Sequence, residues 1–425
     1  AATIARAVST ETGGGKRWTQ RLDALTLHPV AGPLLLAALL FLMFQGVFTL
    51  AEAPMEALSG GVAWLQGLAT AALPDGWLRS LLVDGVLGGV GAVVVFLPQI
   101  LILFLFILIL EQSGYMVRAA FLMDRLMARV GLNGRAFIPL ISSFACAIPG
   151  IMATRTIDAP KDRLTTILIA PLMTCSARLP VYAIIIAAFI PSTQVGGVFN
   201  LQGLVLFALY GFGVGGALLA AWVLRRTVTK GPTPTFLMEM PKYQWPAPRD
   251  IGIGLWQRAW AFLARAGTII LASTVVLWAL ASWPNPPAGA TRPALEYSIA
   301  GKIGAGLEPL FRPIGFNKEI ALALVPGMAA REVAVSALGT VYSLQGSEDE
   351  LAAPLVDKLR AAWSLPTALA FLAWYVFAPQ CISTLAVTRR ETNGWKWPAF
   401  MFGYLFAMAY AGAGITYWAA RWLLG

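Results

Sequence analysis

The chain has 425 residues, 58% hydrophobic and 12% charged, with a net charge of +10 and a mean hydropathy of +0.71. Soluble domains carry about 25% charged and 45–50% apolar residues, so a soluble enzyme, a disordered chain and a coiled coil are excluded. The composition predicts an all-α polytopic membrane protein. Its apolar runs, such as LILFLFILIL at 101–110, are too continuous for barrel strands. The positive charge reads as the Lys and Arg excess of cytoplasmic loops, with no nucleic-acid partner.

Residues 1–29 form a polar leader that begins at Ala1 and has no signal-peptide core. It reads as the end of something upstream. Its GGGK at 13–16 lacks the Walker A spacing and is taken as linker. Residues 30–425 form the membrane domain. Seven full spans are predicted, at 33–52, 91–111, 164–190, 201–224, 267–283, 366–388 and 398–420. Between the second and third, GYMVRAAFLMDRLMARVG reads as an amphipathic interfacial helix.

Two further apolar segments, 136–157 and 317–342, carry Pro-Gly pairs at Pro149-Gly150 and Pro326-Gly327. Proline removes a helical donor and clashes with the preceding turn. Irregular backbone at membrane depth survives only inside protein or beside a wet cavity. Both segments therefore read as re-entrant or broken-helix hairpins hinged at those pairs.

Lys and Arg number 21 over the leader, 112–135, 155–163, 225–265 and 389–396, against 8 on the opposite side. That bias places the N-terminus in the cytoplasm and the C-terminus outside. Residues near Arg129 and Gln345 then face opposite sides. GLNGRAFIPL from Gly131 resembles GFNKEIALAL from Gly315, and PGIMATRT (149–156) resembles PGMAAREV (326–333). With the topology, this predicts an inverted repeat, 91–226 and 252–425, with the substrate site where the broken elements meet.

The chemistry narrows to few residues. One histidine, His28, lies in the leader, which excludes His-based metal cages in the membrane. Cys146, Cys175 and Cys381 each stand near a helix-distorting proline, and an odd number in apolar surroundings is no disulfide framework. Buried cysteine is often packing alone, but three of three at such positions point to soft or borderline metals such as Cu(I), Zn and Fe(II). Met152, Met173, Met328, Ser142, Ser143, Thr174, Ser176 and Gln380 stand near the same breaks. Arg331 and Glu332 follow the second, and intramembrane charge marks function by default. Met328 and Glu332 join the three cysteines as candidate metal ligands. Arg178, one turn beyond Cys175, is placed to repel or regulate cations.

GGVGAVVVFLPQI (88–100), EQSGYMVRAAFLMDRLM (111–127), FIPLISSFACAIPGIMATRTI (137–157), DRLTTILIAPLMTCSARLPVY (162–182) and RRETNGWKWP (389–398) resemble the membrane domain of the bacterial ferrous iron transporter B (FeoB) family. The similarity runs from about Thr19 to the C-terminus. The hairpins are similar to that family's gates and to those of concentrative nucleoside transporters. The resemblance implies Fe2+ transport across the bacterial inner membrane and a lipid bilayer around the chain, and is compatible with a homo-oligomer. It also implies a small SH3-like accessory protein and a cytoplasmic G domain, using GTP and Mg2+, ahead of Ala1–Val8. The sequence contains no GKS or GKT and no NKxD, so it is not expected to be an enzyme by itself. The rival readings are a nucleoside or other organic-solute transporter of the same architecture, and a non-transporting membrane scaffold.

Overall fold

A computed structural model describes residues 15–195, 199–231, 242–284, 297–329, 337–339, 341–342, 348–379 and 381–424. The protein is all-α and polytopic. Six helices among the described residues are long and apolar enough to cross a membrane. Among the described residues, strand structure is confined to a two-residue antiparallel ladder, Gln194–Val195 (β1) with Phe199–Asn200 (β2).

The N-terminal part comprises α1 (Gly15–Thr26), α2 (Ala31–Ala72), α3 (Trp77–Gln112) and the amphipathic α4 (Tyr115–Arg129). α2 runs 20 residues past the predicted span, 33–52. Its Ala- and Leu-rich continuation propagates the helix through Pro54. At 42 residues it is about 63 Å long, twice the bilayer core. The α3 helix likewise starts well before residue 91.

The first gate region follows: α5 (Phe137–Ala145), α6 (Ala147–Ala153), α7 (Pro160–Ile169), α8 (Leu179–Phe189) and α9 (Leu201–Thr227). The second contains α10 (Pro248–Phe262), α11 (Thr268–Ser282), α12 (Ile299–Phe311), α13 (Lys318–Ala329), α14 (Glu348–Ala362), α15 (Leu365–Phe377), α16 (Ile382–Glu391) and α17 (Lys396–Leu424). The expected span at 267–283 is α11, 15 residues joined to α10 by a π turn. The spans expected at 164–190 and 366–388 are each two half-helices, α7 with α8 and α15 with α16.

One turn is built twice. Gly131 and Gly315 adopt left-handed φ values of 81° and 83°, which β-carbon-bearing residues rarely tolerate. Gly131 N–H donates to Ala128 O (3.0 Å) and Leu132 N–H to Met127 O (3.0 Å). Gly315 N–H donates to Arg312 O (3.0 Å) and Phe316 N–H to Phe311 O (3.3 Å). Both close a helix by a Schellman motif. The buried Leu132 and Phe316 follow, then Asn133 and Asn317 cap the next turn by accepting from Arg135 N and Ile320 N. The GLN and GFN of the sequence are thus one structural signal in two places.

The five stretches expected on one membrane face are tied to one another. The wholly buried Arg118 of α4 pairs with Asp23 of α1 at 2.5 Å and lies under the Tyr243 ring at 3.9 Å. Arg225, ending α9, pairs with Asp162 of α7 at 2.8 Å, and Asn133 donates to the same carboxylate. Arg258 of α10 meets Glu111 of α3 at 3.1 Å. Two apolar cores flank this network. One is built on α8, α12, α13 and α15, with Trp374 edge to face against Phe311 and Phe316 and those two rings stacked, and the other on α5 to α7, α9 and α17.

Candidate functional site

All three cysteines stand where a helix is interrupted. Cys146 is extended (φ −155°, ψ 133°) between α5 and α6. The cause is Pro149, which lacks the N–H that would bond Ala145 O and whose ring would strike that carbonyl. The break therefore falls three residues ahead of the Pro149-Gly150 pair, and both residues sit within the first turns of α6. There the missing donor has no helical partner to lose. α5 and α6 fold back on each other, and a Cβ on Gly150 would collide with Ser143 Oγ and lie 2.8 Å from Pro139 O.

Cys175 closes an unwound stretch between the 3-10 turn Ala170–Leu172 and the turn Ser176–Arg178 that leads into α8. Cys381 is the cap residue of α16, and α15 ends at Ala378, held extended ahead of Pro379. Each thiol thus sits at the N-terminal cap of a restarted helix. Backbone N–H groups and the helix dipole favour negative charge there, while carbonyls freed before each break offer oxygen ligands to a cation. Cys381 Sγ also lies 3.2 Å from Thr384 Oγ1.

The breaks converge. α6 packs against the turn Ala170–Leu172 and against α16, and α5 against Ser176–Arg178. The Arg178 guanidinium donates from Nη1 to Val376 O (2.7 Å) and from Nη2 to Pro171 O (3.3 Å), so it touches the carbonyls ahead of both other breaks. Among the described residues no three His, Cys, Asp or Glu side chains form a preformed metal cage.

The second Pro-Gly pair behaves differently. α13 runs unbroken through Pro326 and Gly327 to Ala329. The cost of one proline is offset there by close burial of Ile320, Ala321, Leu322 and Leu324. Met328 occupies the last turn of that helix. Arg331, Glu332, Gln345 and Gln380 lie outside the described residues.

Two cavities adjoin the hairpin. One of about 490 Å³ is bordered by Phe104, Ser142, Pro149, Met152 and Phe262, with Glu111 and Arg258 among its lining. A second of about 200 Å³ is bordered by Met152, Val387, Arg390 and Glu391. Met152 lines both. Glu391 is a site residue the sequence reading passed over. Its buried carboxylate, 3% exposed, accepts Arg155 Nη2 at 2.5 Å and Arg163 Nη2 at 2.8 Å. One carboxylate thereby fastens the hairpin and α7 to α16. Its signal was present in the sequence as a Glu after two arginines in RRETNGW.

A re-entrant hairpin set against two unwound membrane helices is the arrangement of a gate-type membrane protein. The sequence agrees: it matches the family described as Gate, nucleoside recognition, over residues 93–189 and 263–395. It also matches the ferrous iron transport protein B C terminus over 206–258. The chain belongs to the FeoB family. It is 43% identical to the Fe(2+) transporter FeoB of Leptospira biflexa, covering 92% of this chain and 58% of that protein. Identity to the Fe(2+) transporter FeoB of Campylobacter jejuni is 35%, covering 99% and 68%. Identity to the Fe(2+) transport protein A/Fe(2+) transporter FeoB fusion protein of Porphyromonas gingivalis is 38%, covering 93% and 51%. The chain thus spans about half to two thirds of the length of these relatives. No solved structure matches it.

Proposed function

We propose that the chain is the permeation part of a ferrous iron transporter in the bacterial inner membrane, with Fe2+ as substrate. The observation that carries the reading is the placement of Cys146, Cys175 and Cys381, each at a helix break, in a chain of this family. A divalent ion stripped of water needs replacement ligands. Conduction needs them strong enough to admit the ion and weak enough to release it. Three thiols on one ion would hold a structural zinc. Thiols apart, each with freed carbonyls, form successive stations instead. Met328 and Glu332 are proposed as the contribution of the second gate, with the hinge of the first gate at the Cys146 break.

Uptake into vesicles carrying the purified chain tests this. Fe2+ is expected to accumulate above empty vesicles and in preference to Mn2+, while a nucleoside such as uridine is not. Uridine uptake without metal uptake would replace the iron reading by the organic-solute one.

The inverted repeat, 91–226 with 252–425, and a cytoplasmic N-terminus are part of the same proposal. Support comes from the doubled Schellman–Asn turn and from the mutual pairing of the five basic stretches. Single cysteines introduced at Arg129 and Gln345 should react with impermeant reagents from opposite sides. Reaction of both from one side would refute the topology. Control by GTP is assigned to a G domain preceding Ala1, tested by comparing GTP hydrolysis with and without it. The fused relative of Porphyromonas gingivalis supports an accessory partner.

A further inference from the structure

Arg178 has no exposed surface. Its two hydrogen bonds go to Pro171 O and Val376 O, carbonyls on two different broken helices. Its Nε is buried without a hydrogen-bond partner, as is Oγ1 of Thr174 in the same unwound segment. No described carboxylate forms an ion pair with it, whereas buried Arg118 and Arg225 each have one. Tyr210 of α9 lies within electrostatic range of both Arg178 and Cys175.

Bridging two carbonyls does not require charge, since a glutamine amide has two donors as well. An unpaired charge in a buried membrane site is costly and is kept where it acts. We propose that Arg178 is the electrostatic barrier of the path. Its fixed positive charge closes the junction of the breaks to cations while its guanidinium pins α15 to the α7–α8 break. Opening then means separating the two broken helices, which releases Val376 O and carries the charge away from the thiols. This rests on the path running through the breaks, the reading proposed above.

The charge and the donor fork are separable. Arg178→Gln keeps donors and loses charge, and Arg178→Lys keeps charge and loses the fork. In vesicles of purified protein, Arg178→Gln should raise passive Na+ flux roughly tenfold or more with chloride flux unchanged. Arg178→Lys, assayed at acidic pH so that its ammonium stays protonated in the buried site, should stay within about twofold of the native Na+ flux. A tight Arg178→Gln overturns the proposal. So do equal leaks from both variants, or Na+ and Cl− rising together, which is the mark of loosened packing. Failure of either variant to purify as a monodisperse folded protein would assign Arg178 to structure alone and likewise overturn it. Fe2+ uptake is measured on the same native vesicles. If that is absent while the Na+ pattern appears, the iron reading fails and the charge barrier stands. If uptake is present and Arg178→Gln is tight, only the barrier fails.

Discussion

Asp162→Ala is expected to lower stability by about 3–5 kcal/mol, the cost of leaving a buried charge without its partner. Asp162 and Arg225 are 1% and 6% exposed in their side chains, and their 2.8 Å pair joins the start of α7 to the end of α9. Asn133, which caps the turn leading into α5, donates to the same carboxylate at 3.3 Å. Arg225 also holds the carbonyls of Thr229 and Gly231, so alanine at 162 leaves a buried guanidinium with neutral acceptors only. The contrast is Asp158, which pairs with Arg135 but is 85% exposed. Asp158→Ala should cost no more than about 1 kcal/mol, as exposed pairs do. The fraction of monodisperse protein left after graded heating in detergent separates the two. Equal losses would mean that burial does not govern these pairs.

Much of the architecture was legible in the sequence because a bilayer imposes a length and a polarity on every span. The basic stretches that the charge bias groups together do pair with one another. The doubled turn was legible too, since glycine with a left-handed φ followed by an Asn cap leaves a GLN/GFN trace. What was missed follows from helix geometry. A proline disturbs the carbonyl four residues before it, so Pro149 displaces the break to Cys146. In α13, tight packing of the turns ahead of Pro326 accompanies a helix that continues through it. The unwound centres at Cys175 and Cys381 were read as parts of ordinary spans, because hydropathy sums side chains and is blind to backbone direction. Pairs such as Arg155 and Arg163 with Glu391 span more than 220 residues of sequence, and no local pattern announces them.

Simultaneous Cys→Ser replacement at 146, 175 and 381 tests most directly whether the thiols at the helix breaks carry the ion. Serine nearly preserves volume and keeps a polar cap at each restarted helix, so folding should be little changed. It replaces a soft sulfur by a hard, neutral hydroxyl, which loses the preference for Fe2+ over harder ions. Two of the three thiols are half-buried and Cys175 is buried, and all three lack a disulfide partner, so no covalent constraint is lost. Fe2+ flux into vesicles should fall roughly tenfold or more, about 1.4 kcal/mol for each decade of rate, at matched amounts of folded protein. Each single replacement should give a smaller loss, since the stations act in series. Native Fe2+ flux through the triple variant would contradict the account and leave the cysteines as packing.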